Sequence, residues 1–232
     1  MNKDTLVAVC CYRGDQHQVI GALPEYLHHE CPVVVFSPKD QPAEIPGVLN
    51  VNVGQACYIG ALSLMRQVEH LMWLREQPQN FFLLHDSDSL CLSKEIPEHL
   101  YRFSQNTIWS NEIVEPRPHP SPYPKLAFQP PYFLSRNVIE RMLGAAHKPG
   151  CHEITPYIDW FMNACSAEAG LEHMPFTALE HAPRTEMIFS DSDPWRILEH
   201  RIRYYGTSFV HPIKTEEQRN LCRAARKFYE SR

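Results

Sequence analysis

Apolar and polar residues follow one another along the chain in blocks that predict strands and helices. Short apolar runs bounded by turn residues are typical of buried strands, and apolar residues spaced three and four apart are typical of amphipathic helices. The first part of the chain predicts strand 6–12, helix 17–29, strands 32–36 and 48–53, helix 58–75 and strand 81–84. This β-α-β-β-α-β order predicts an α/β fold with a mostly parallel central sheet flanked by helices.

The second part of the chain is rich in proline and predicts shorter elements. These are helix 97–103, strand 107–110, a strand over 126–134, helices 137–146 and 155–169, a short strand within 206–214 and helix 216–230. Pro130 and Pro131 cannot donate ladder hydrogen bonds, so their strand is expected to bend or to lie at an edge. Ser135 is expected to cap the following helix, and residues 171–195 are expected to be irregular.

The composition is that of an ordinary globular protein, with 44% hydrophobic and 21% charged residues in a chain of 232. No apolar run has the length of a membrane span and the first residues show no signal-peptide pattern, so we expect a cytoplasmic protein that does not enter a membrane. None of the eight cysteines forms a Cys-x-x-Cys pair, which favours buried, reduced thiols over structural zinc.

The net charge of −5 is distributed unevenly along the chain. Residues 196–232 hold nine Lys and Arg against four Glu, whereas the preceding residues are acidic on balance. A basic segment on an acidic body can bind a phosphate-bearing ligand or nucleic acid. The alternative is a helix face that is simply solvated.

Two aspartates, Asp86 and Asp88, follow the apolar strand 81–84. Residues i and i+2 of a strand share a side, so both carboxylates can face the carboxyl edge of the sheet, where α/β folds bind ligands. Two carboxylates there repel each other unless a cation joins them, and Mg²⁺ or Mn²⁺ suits such oxygen ligands. The alternative is a solvated pair of turn residues. A second copy of the pattern, Asp191-Ser192-Asp193, is expected to form a loop or a helix N-cap.

The element order and four short motifs together resemble the GT-A class of nucleotide-sugar glycosyltransferases. The motifs are Asp86-Ser87-Asp88 after its strand, Tyr132-Phe133-Leu134-Ser135-Arg136 at a strand-to-helix junction, Asp159 near a helix start and His211 after a late strand. The Gly-x-Gly-x-x-Gly fingerprint of dinucleotide-binding folds is absent from the sequence. The resemblance covers nearly the whole chain and implies a GT-A (Rossmann-like) fold. It also implies metal-dependent transfer of a sugar from a nucleoside-diphosphate sugar, with UDP as the favoured nucleotide, to a hydroxyl acceptor.

The resemblance implies a role for each candidate site residue. Asp159 would be the general base of an inverting transfer, and Asp86, Asp88 and His211 would bind the divalent ion, Mn²⁺ or Mg²⁺. The nucleotide-sugar ligands would be Tyr12, Arg13, Arg66, Asp86 and Lys214, and the acceptor ligands would be Trp109, Gln129, Tyr132 and Trp160. Other interpretations stay open: Asp159 also suits a helix dipole, Arg66 and Lys214 also suit a solvated surface, and Trp109 also suits the core.

The resemblance further implies one domain with three parts. Residues 1–105 would bind the nucleotide sugar, residues 106–214 would bind the acceptor, and residues 215–232 would form a basic C-terminal helix. A narrower likeness is to phage-encoded glycosyltransferases that decorate modified bases. It makes a hydroxymethylated base in phage DNA one candidate acceptor and the host cytoplasm one candidate location.

Two hypotheses from other classes remain alongside the glycosyltransferase. A nucleotidyltransferase or phosphate-cleaving enzyme could use the same pair of aspartates, and it would cleave the nucleotide or attach it to the product without transferring a sugar. A nucleic-acid-binding protein without catalysis could use the basic C-terminal segment, and its salt-sensitive DNA binding would survive the loss of Asp88.

Overall fold

The computed structural model of the chain describes residues 4–27, 31–56, 61–93, 96–110, 130–152, 158–175, 179–181, 193–207 and 209–232. Its strands are β1 Thr5–Cys10, β2 Val33–Ser37, β3 Leu49–Asn52, β4 Phe81–Asp86, β5 Leu90–Cys91, β6 Thr107–Ser110, β7 Tyr132–Ser135, β8 Glu172–Pro175, β9 Leu179–His181 and β10 Phe209–His211. Its helices are α1 Gln16–Leu27, α2 Ala61–Arg75, α3 Glu98–Phe103, α4 Arg136–Ala146, α5 Pro149–His152, α6 Ile158–Glu168, α7 Pro194–Tyr205 and α8 Glu216–Glu230, with a 3₁₀ turn at Arg13–Asp15.

A seven-stranded sheet in the order β3-β2-β1-β4-β7-β6-β8 forms the centre of the fold. Strands β3, β2, β1 and β4 are parallel neighbours, and β6 is parallel to β8. Strand β7 is antiparallel to both β4 and β6. The sheet is therefore mixed and mostly parallel with helices on its faces, which confirms the predicted fold class.

Both faces of the sheet are buried, which is why its central strands are continuously apolar. Successive residues of β1 point to opposite faces, so Val7 and Val9 belong to one core while Leu6 and Ala8 belong to the other. The first core is closed by α1, α7 and α8, and the second by α2, α4 and α6. Their packing residues include Val19, Ile202 and Cys222 on the first face and Leu71, Val138 and Phe161 on the second.

A smaller sheet in the order β5-β10-β9 joins the end of the chain to the end of β4. Strand β10 is antiparallel to β5, with Phe209 opposite Cys91 and Val210 opposite Leu90. Because β5 begins directly after the turn that holds Asp88, this pairing places the residues after β10 beside that aspartate.

Two regions differ from the prediction. Strand β7 lies in the interior of the sheet, not at an edge, because it begins at Tyr132 and so leaves Pro130 and Pro131 outside the ladder. Within 171–195, for which the sequence predicts irregular structure, β8 and β9 are regular strands. Residues Pro194–Tyr205 form α7, a helix that the sequence pattern did not predict.

Three predicted helix features are confirmed. The hydroxyl of Ser135 accepts a hydrogen bond from the Val138 amide at the start of α4. The carboxylate of Asp193, from the second Asp-x-Asp, accepts from the Trp195 amide at the start of α7. The closing helix α8 has its predicted bounds. Among the helices of the described ranges, none combines the length and the apolar character needed to cross a bilayer.

Gly54, in the turn after β3, is predicted to be intolerant of a side chain. Its φ is 62°, and a Cβ atom there would lie 2.4 Å from Cβ and Cγ of Arg66. We expect Gly54→Ala to lower the free energy of unfolding by about 1–3 kcal/mol, measured by urea denaturation. The control is Gly144→Ala in α4, where no atom lies within 4 Å of the new Cβ, and it should stabilise by about 0.5–1 kcal/mol. Equal effects of the two substitutions would show that the close approach of Arg66 does not constrain Gly54.

Candidate active site

Asp86 and Asp88 lie at the carboxyl edge of the central sheet. Parallel pairing aligns the ends of β1 and β4, with Cys10 opposite Asp86. The chain then turns, and the Ser89 amide donates to the Asp86 carbonyl over 3.2 Å. Both aspartates are half-buried. The end of one apolar run in the sequence therefore locates the carboxyl edge of the sheet.

Asp88 is the point where this edge meets the C-terminal part of the chain. His211 Nδ1 lies 3.3 Å from one carboxylate oxygen of Asp88, and Lys214 Nζ contacts the other oxygen. The same imidazole nitrogen is 3.1 Å from the Ser89 hydroxyl. The Ile213 amide donates to the Asp88 carbonyl over 2.7 Å. Three predicted site residues from separate parts of the sequence, Asp88, His211 and Lys214, are thus brought together.

The two aspartates differ in charge state because their surroundings differ. Burial, with the negative charge of Asp88 adding to it, raises the pKa of Asp86 to about 6. Burial also acts against the charge on Asp88, but the hydrogen bonds and charges of His211 and Lys214 outweigh it and lower that pKa to about 2. Asp88 is therefore the permanently ionised carboxylate of the pair. The repulsion that it exerts on Asp86 is the kind that a bound cation relieves.

A small pocket opens beside these carboxylates, at the ends of β1 and β2 and under α2. Its lining residues are Cys10, Cys11, Tyr12, Phe36, Ser37, Pro38, Arg66 and His70. The guanidinium carbon of Arg66 lies 4.9 Å from the centre of the Tyr12 ring, a cation–π contact. Arg66 is only 4% exposed, so the alternative of a surface arginine is wrong. The structure thus brings together Tyr12 and Arg66, two of the predicted nucleotide-sugar ligands.

Arg66 is a buried cation that lacks a carboxylate partner among the described residues. Its Nη1 donates to the Gln55 carbonyl over 3.3 Å, and its Nε has no hydrogen-bond partner in the described part of the chain. An unpaired buried charge is costly unless a ligand completes it. Arg66 also attracts the nearby Asp86 carboxylate, and its free Nε can still donate to an anion.

His70 is a pocket residue that was not predicted from the sequence. Its ring stacks on Phe36 with 4.5 Å between ring centres. Burial, with a contribution from Arg66, lowers its pKa to about 3, so the imidazole is neutral. The signal that could have found it is its spacing, because a residue four positions after Arg66 lies on the same face of α2.

The two predicted acceptor residues whose side chains the structure describes are both buried. Trp109 in β6 and Tyr132 in β7 are 4% and 2% exposed. Their burial favours core packing over an exposed platform for an acceptor. Asp159 and Trp160 belong to the first turn of α6, but their side chains lie outside the described part, as do the side chain of Arg13 and the whole of Gln129.

The predicted basic face of α8 is largely neutralised by ion pairs. Arg219 is buried and lies 2.7 Å from Glu216, and Arg223 lies 2.5 Å from Glu25 of α1. These arginines attach α8 to α1 and to its own first turn. The middle of α8 is therefore a packing surface and not a free basic stripe.

The described residues at this edge offer a few possible metal ligands. Within the ranges that the structure describes, no set of three or more His, Cys, Asp and Glu side chains is placed to hold a metal ion. Asp88 and His211 nevertheless offer a carboxylate and an imidazole, with Asp86 as a second, repelled carboxylate. This open donor set fits an ion such as Mg²⁺ or Mn²⁺ that takes its other ligands from phosphate and water.

Comparison with known proteins shows the fold. No protein-family model and no curated protein sequence matches the chain. A solved structure of 4-diphosphocytidyl-2C-methyl-D-erythritol synthase is 13% identical, with a TM-score of 0.46 over 83% of this chain and 97% of that one. The structure of the WbbM bifunctional glycosyltransferase is 9% identical, with a TM-score of 0.55 over 91% of this chain. This chain spans 46% of the WbbM chain, and the likeness supports a GT-A-like, Rossmann-like fold.

Replacement of Arg66 tests whether this arginine binds a ligand or only stabilises the fold. Because Arg66 is a buried charge without a carboxylate partner in the described residues, Arg66→Met should change the free energy of unfolding by less than about 1 kcal/mol or raise it. The same variant should weaken pyrophosphate binding at least tenfold in calorimetry.

The matched control is Arg141→Met in α4. Arg141 donates to the Asn106 side chain over 2.7 Å and to the Gly170 carbonyl over 3.2 Å. Its loss should cost about 1–3 kcal/mol of stability and leave pyrophosphate binding unchanged. A strongly destabilised Arg66→Met with normal pyrophosphate binding would show that Arg66 is structural.

Proposed function

We propose that the protein is a glycosyltransferase that moves a sugar from a nucleoside-diphosphate sugar to a hydroxyl acceptor. The observation that carries this proposal is the convergence of Asp88, His211 and Lys214 at the end of β4. At the end of the neighbouring strand β1, Arg66 and Tyr12 line a small pocket in which a cation and an aromatic ring lie together. The fold likeness to the WbbM bifunctional glycosyltransferase supports the same class of reaction.

The donor would lie across the ends of β1 and β4. The nucleoside would enter the pocket beside Tyr12 and Phe36, and the diphosphate would extend toward Asp88 past the buried charge of Arg66. We favour UDP as the nucleotide, as the sequence resemblance implies. A divalent ion held by Asp86, Asp88 and His211 would neutralise charge on the diphosphate as a Lewis acid.

The transfer itself is a substitution at the anomeric carbon of the sugar. The acceptor hydroxyl forms the new carbon–oxygen bond as the bond to the diphosphate breaks, and the diphosphate leaves with the electron pair. Asp159 would take the proton from the acceptor, which predicts inversion at that carbon. Lys214, with a side chain 59% exposed, can turn from Asp88 to the leaving diphosphate as a compact positive charge.

The acceptor that we propose is a hydroxymethylated base in DNA. A base inside a duplex is out of reach of the sheet edge, so it would have to leave the stack before transfer. The proposal predicts that a hydroxymethylated oligonucleotide gains the mass of one sugar per modified base, while an unmodified oligonucleotide does not.

Nucleotidyl transfer is a second candidate, because a carboxylate pair with a neighbouring lysine also suits attack at a phosphate. The two reactions differ in their products. Sugar transfer releases the intact nucleoside diphosphate, whereas nucleotidyl transfer releases pyrophosphate or leaves the nucleotide on the product.

Donor binding tests the role of Asp88. Calorimetric titration of UDP-, GDP-, ADP- and TDP-sugars with Mn²⁺ should show one donor that binds, and Asp88→Ala should weaken that binding at least tenfold. The control is Asp193→Ser, which alters the second Asp-x-Asp but keeps a residue able to cap α7. Binding of no donor by the folded wild-type protein, or equal binding by Asp88→Ala, would refute the proposal.

Replacement of Asp159 tests the general base. Asp159→Asn should lower kcat by about 10²–10⁴-fold, because the acceptor proton loses its base, while donor affinity stays unchanged. Single-turnover transfer assays at saturating donor measure the chemical step. A loss of donor affinity with an unchanged rate of transfer would assign Asp159 to binding instead.

A further inference from the structure

Four exposed aromatic rings cluster where the last turns of α7 and α8 meet. We name this surface the α7–α8 patch. Its rings are Tyr204, Tyr205, Phe228 and Tyr229, with exposed fractions of 46%, 76%, 38% and 38%. Aromatic rings gathered on a surface leave much apolar area in water, so the patch is marked as an interaction surface. It lies apart from the cleft at the end of β4.

Cationic side chains lie against the rings of the patch. The guanidinium of Arg232 lies 5.2 Å from the centre of the Tyr204 ring, and that of Arg203 lies 5.1 Å from the Phe228 ring. The Tyr204 and Phe228 rings are 5.8 Å apart, so these two contacts belong to one continuous surface. On its border, Arg226 contacts Tyr229 and the His200 ring lies 4.5 Å from Tyr204.

The patch keeps a positive charge after its internal ion pairs are counted. Glu199 lies 2.5 Å from Arg203, and Glu230 lies 3.1 Å from Arg226, so these two arginines are offset. In the described part of the chain, no ion pair involves Arg232, which contacts the Tyr204 ring, or Lys227, which precedes Phe228 in α8. This end of α8 therefore differs from its middle, where the arginines are neutralised.

We infer that the α7–α8 patch binds a nucleic-acid strand with unpaired bases. Flat rings accept the face of any base, and arginines beside them neutralise phosphates, which is the combination that single-stranded nucleic acids require. A second copy of this chain would bring the same cations together and repel itself. The rings and the charge thus favour a polyanion with aromatic bases over an apolar protein surface.

The position of the patch suggests what the strand does, and this step rests on the proposed function. Helix α8 begins directly after Lys214 and Thr215 and extends for 15 residues, so the patch lies roughly 20 Å along the helix from the Asp88 cleft. A single nucleotide cannot reach both places. A polymeric acceptor can be held at the patch while one of its bases enters the cleft.

The test is direct binding of a labelled single-stranded oligonucleotide of about 20 nucleotides, followed by fluorescence anisotropy at several salt concentrations. The variant is Tyr205→Ala with Arg232→Gln. The matched control, Phe103→Ala with Arg102→Gln, removes an aromatic ring and an arginine from the exposed surface of α3, where they are 61% and 68% exposed. The patch variant should bind about tenfold more weakly with a shallower salt dependence, and the control should bind as the wild type does.

Equal binding by the wild type and the patch variant would overturn the inference. So would a wild type that binds no oligonucleotide but self-associates through the patch in sedimentation, because that result assigns the surface to a second copy. Donor binding, measured separately by calorimetry, should be the same in both variants. Since the anisotropy assay contains no nucleotide sugar, failure of the glycosyltransferase proposal and failure of the patch are distinguishable.

Discussion

The contact of Asp88 with His211 and Lys214 is the interaction on which the candidate site depends. Strand β4 carries Asp88 to the edge of the sheet, and the pairing of β5 with β10 brings an imidazole and an ammonium group to it from the C-terminal part of the chain. Two elements separated by more than half of the sequence are thereby joined at one carboxylate. The same contacts keep Asp88 ionised in a half-buried position, where a lone carboxylate would be driven toward its neutral form.

The charges around this contact suit an anion that binds together with a metal ion. Asp86 is close enough to Asp88 to be repelled, and Arg66 is buried without a carboxylate partner in the described residues. A pair of carboxylates on one side and a buried guanidinium on the other are compatible with the proposed metal-bound diphosphate. The exposed side chain of Lys214 supplies a charge that can move. Lys214 neutralises Asp88 in this arrangement, and its exposed side chain is long enough to reach a neighbouring phosphate instead.

The central sheet and the position of the aspartates at its carboxyl edge were predictable because they depend on local patterns. The sequence shows the continuous apolar strands and the regular spacing of apolar residues in the helices. It also shows that the apolar run 81–84 stops shortly before Asp86. The interior position of β7 was not predicted, since the sequence does not show that the ladder starts only after Pro131. The burial of Arg66 and Arg219 also escaped prediction, whereas that of Trp109 agrees with one of its two sequence-based interpretations. Burial depends on which elements pack together, and the helix partner Glu25 lies almost 200 residues from Arg223.

The most direct test of the central claim is a crystal structure with Mn²⁺ and the bound nucleotide sugar, with the metal located by its anomalous scattering. We predict a manganese peak at the carboxylate of Asp88, bridged to the diphosphate, with Lys214 moved from the aspartate to the phosphate and the nucleoside beside Tyr12. A donor bound elsewhere would contradict this claim. A bound donor with no metal at Asp88 and with Lys214 still on that carboxylate would contradict it equally.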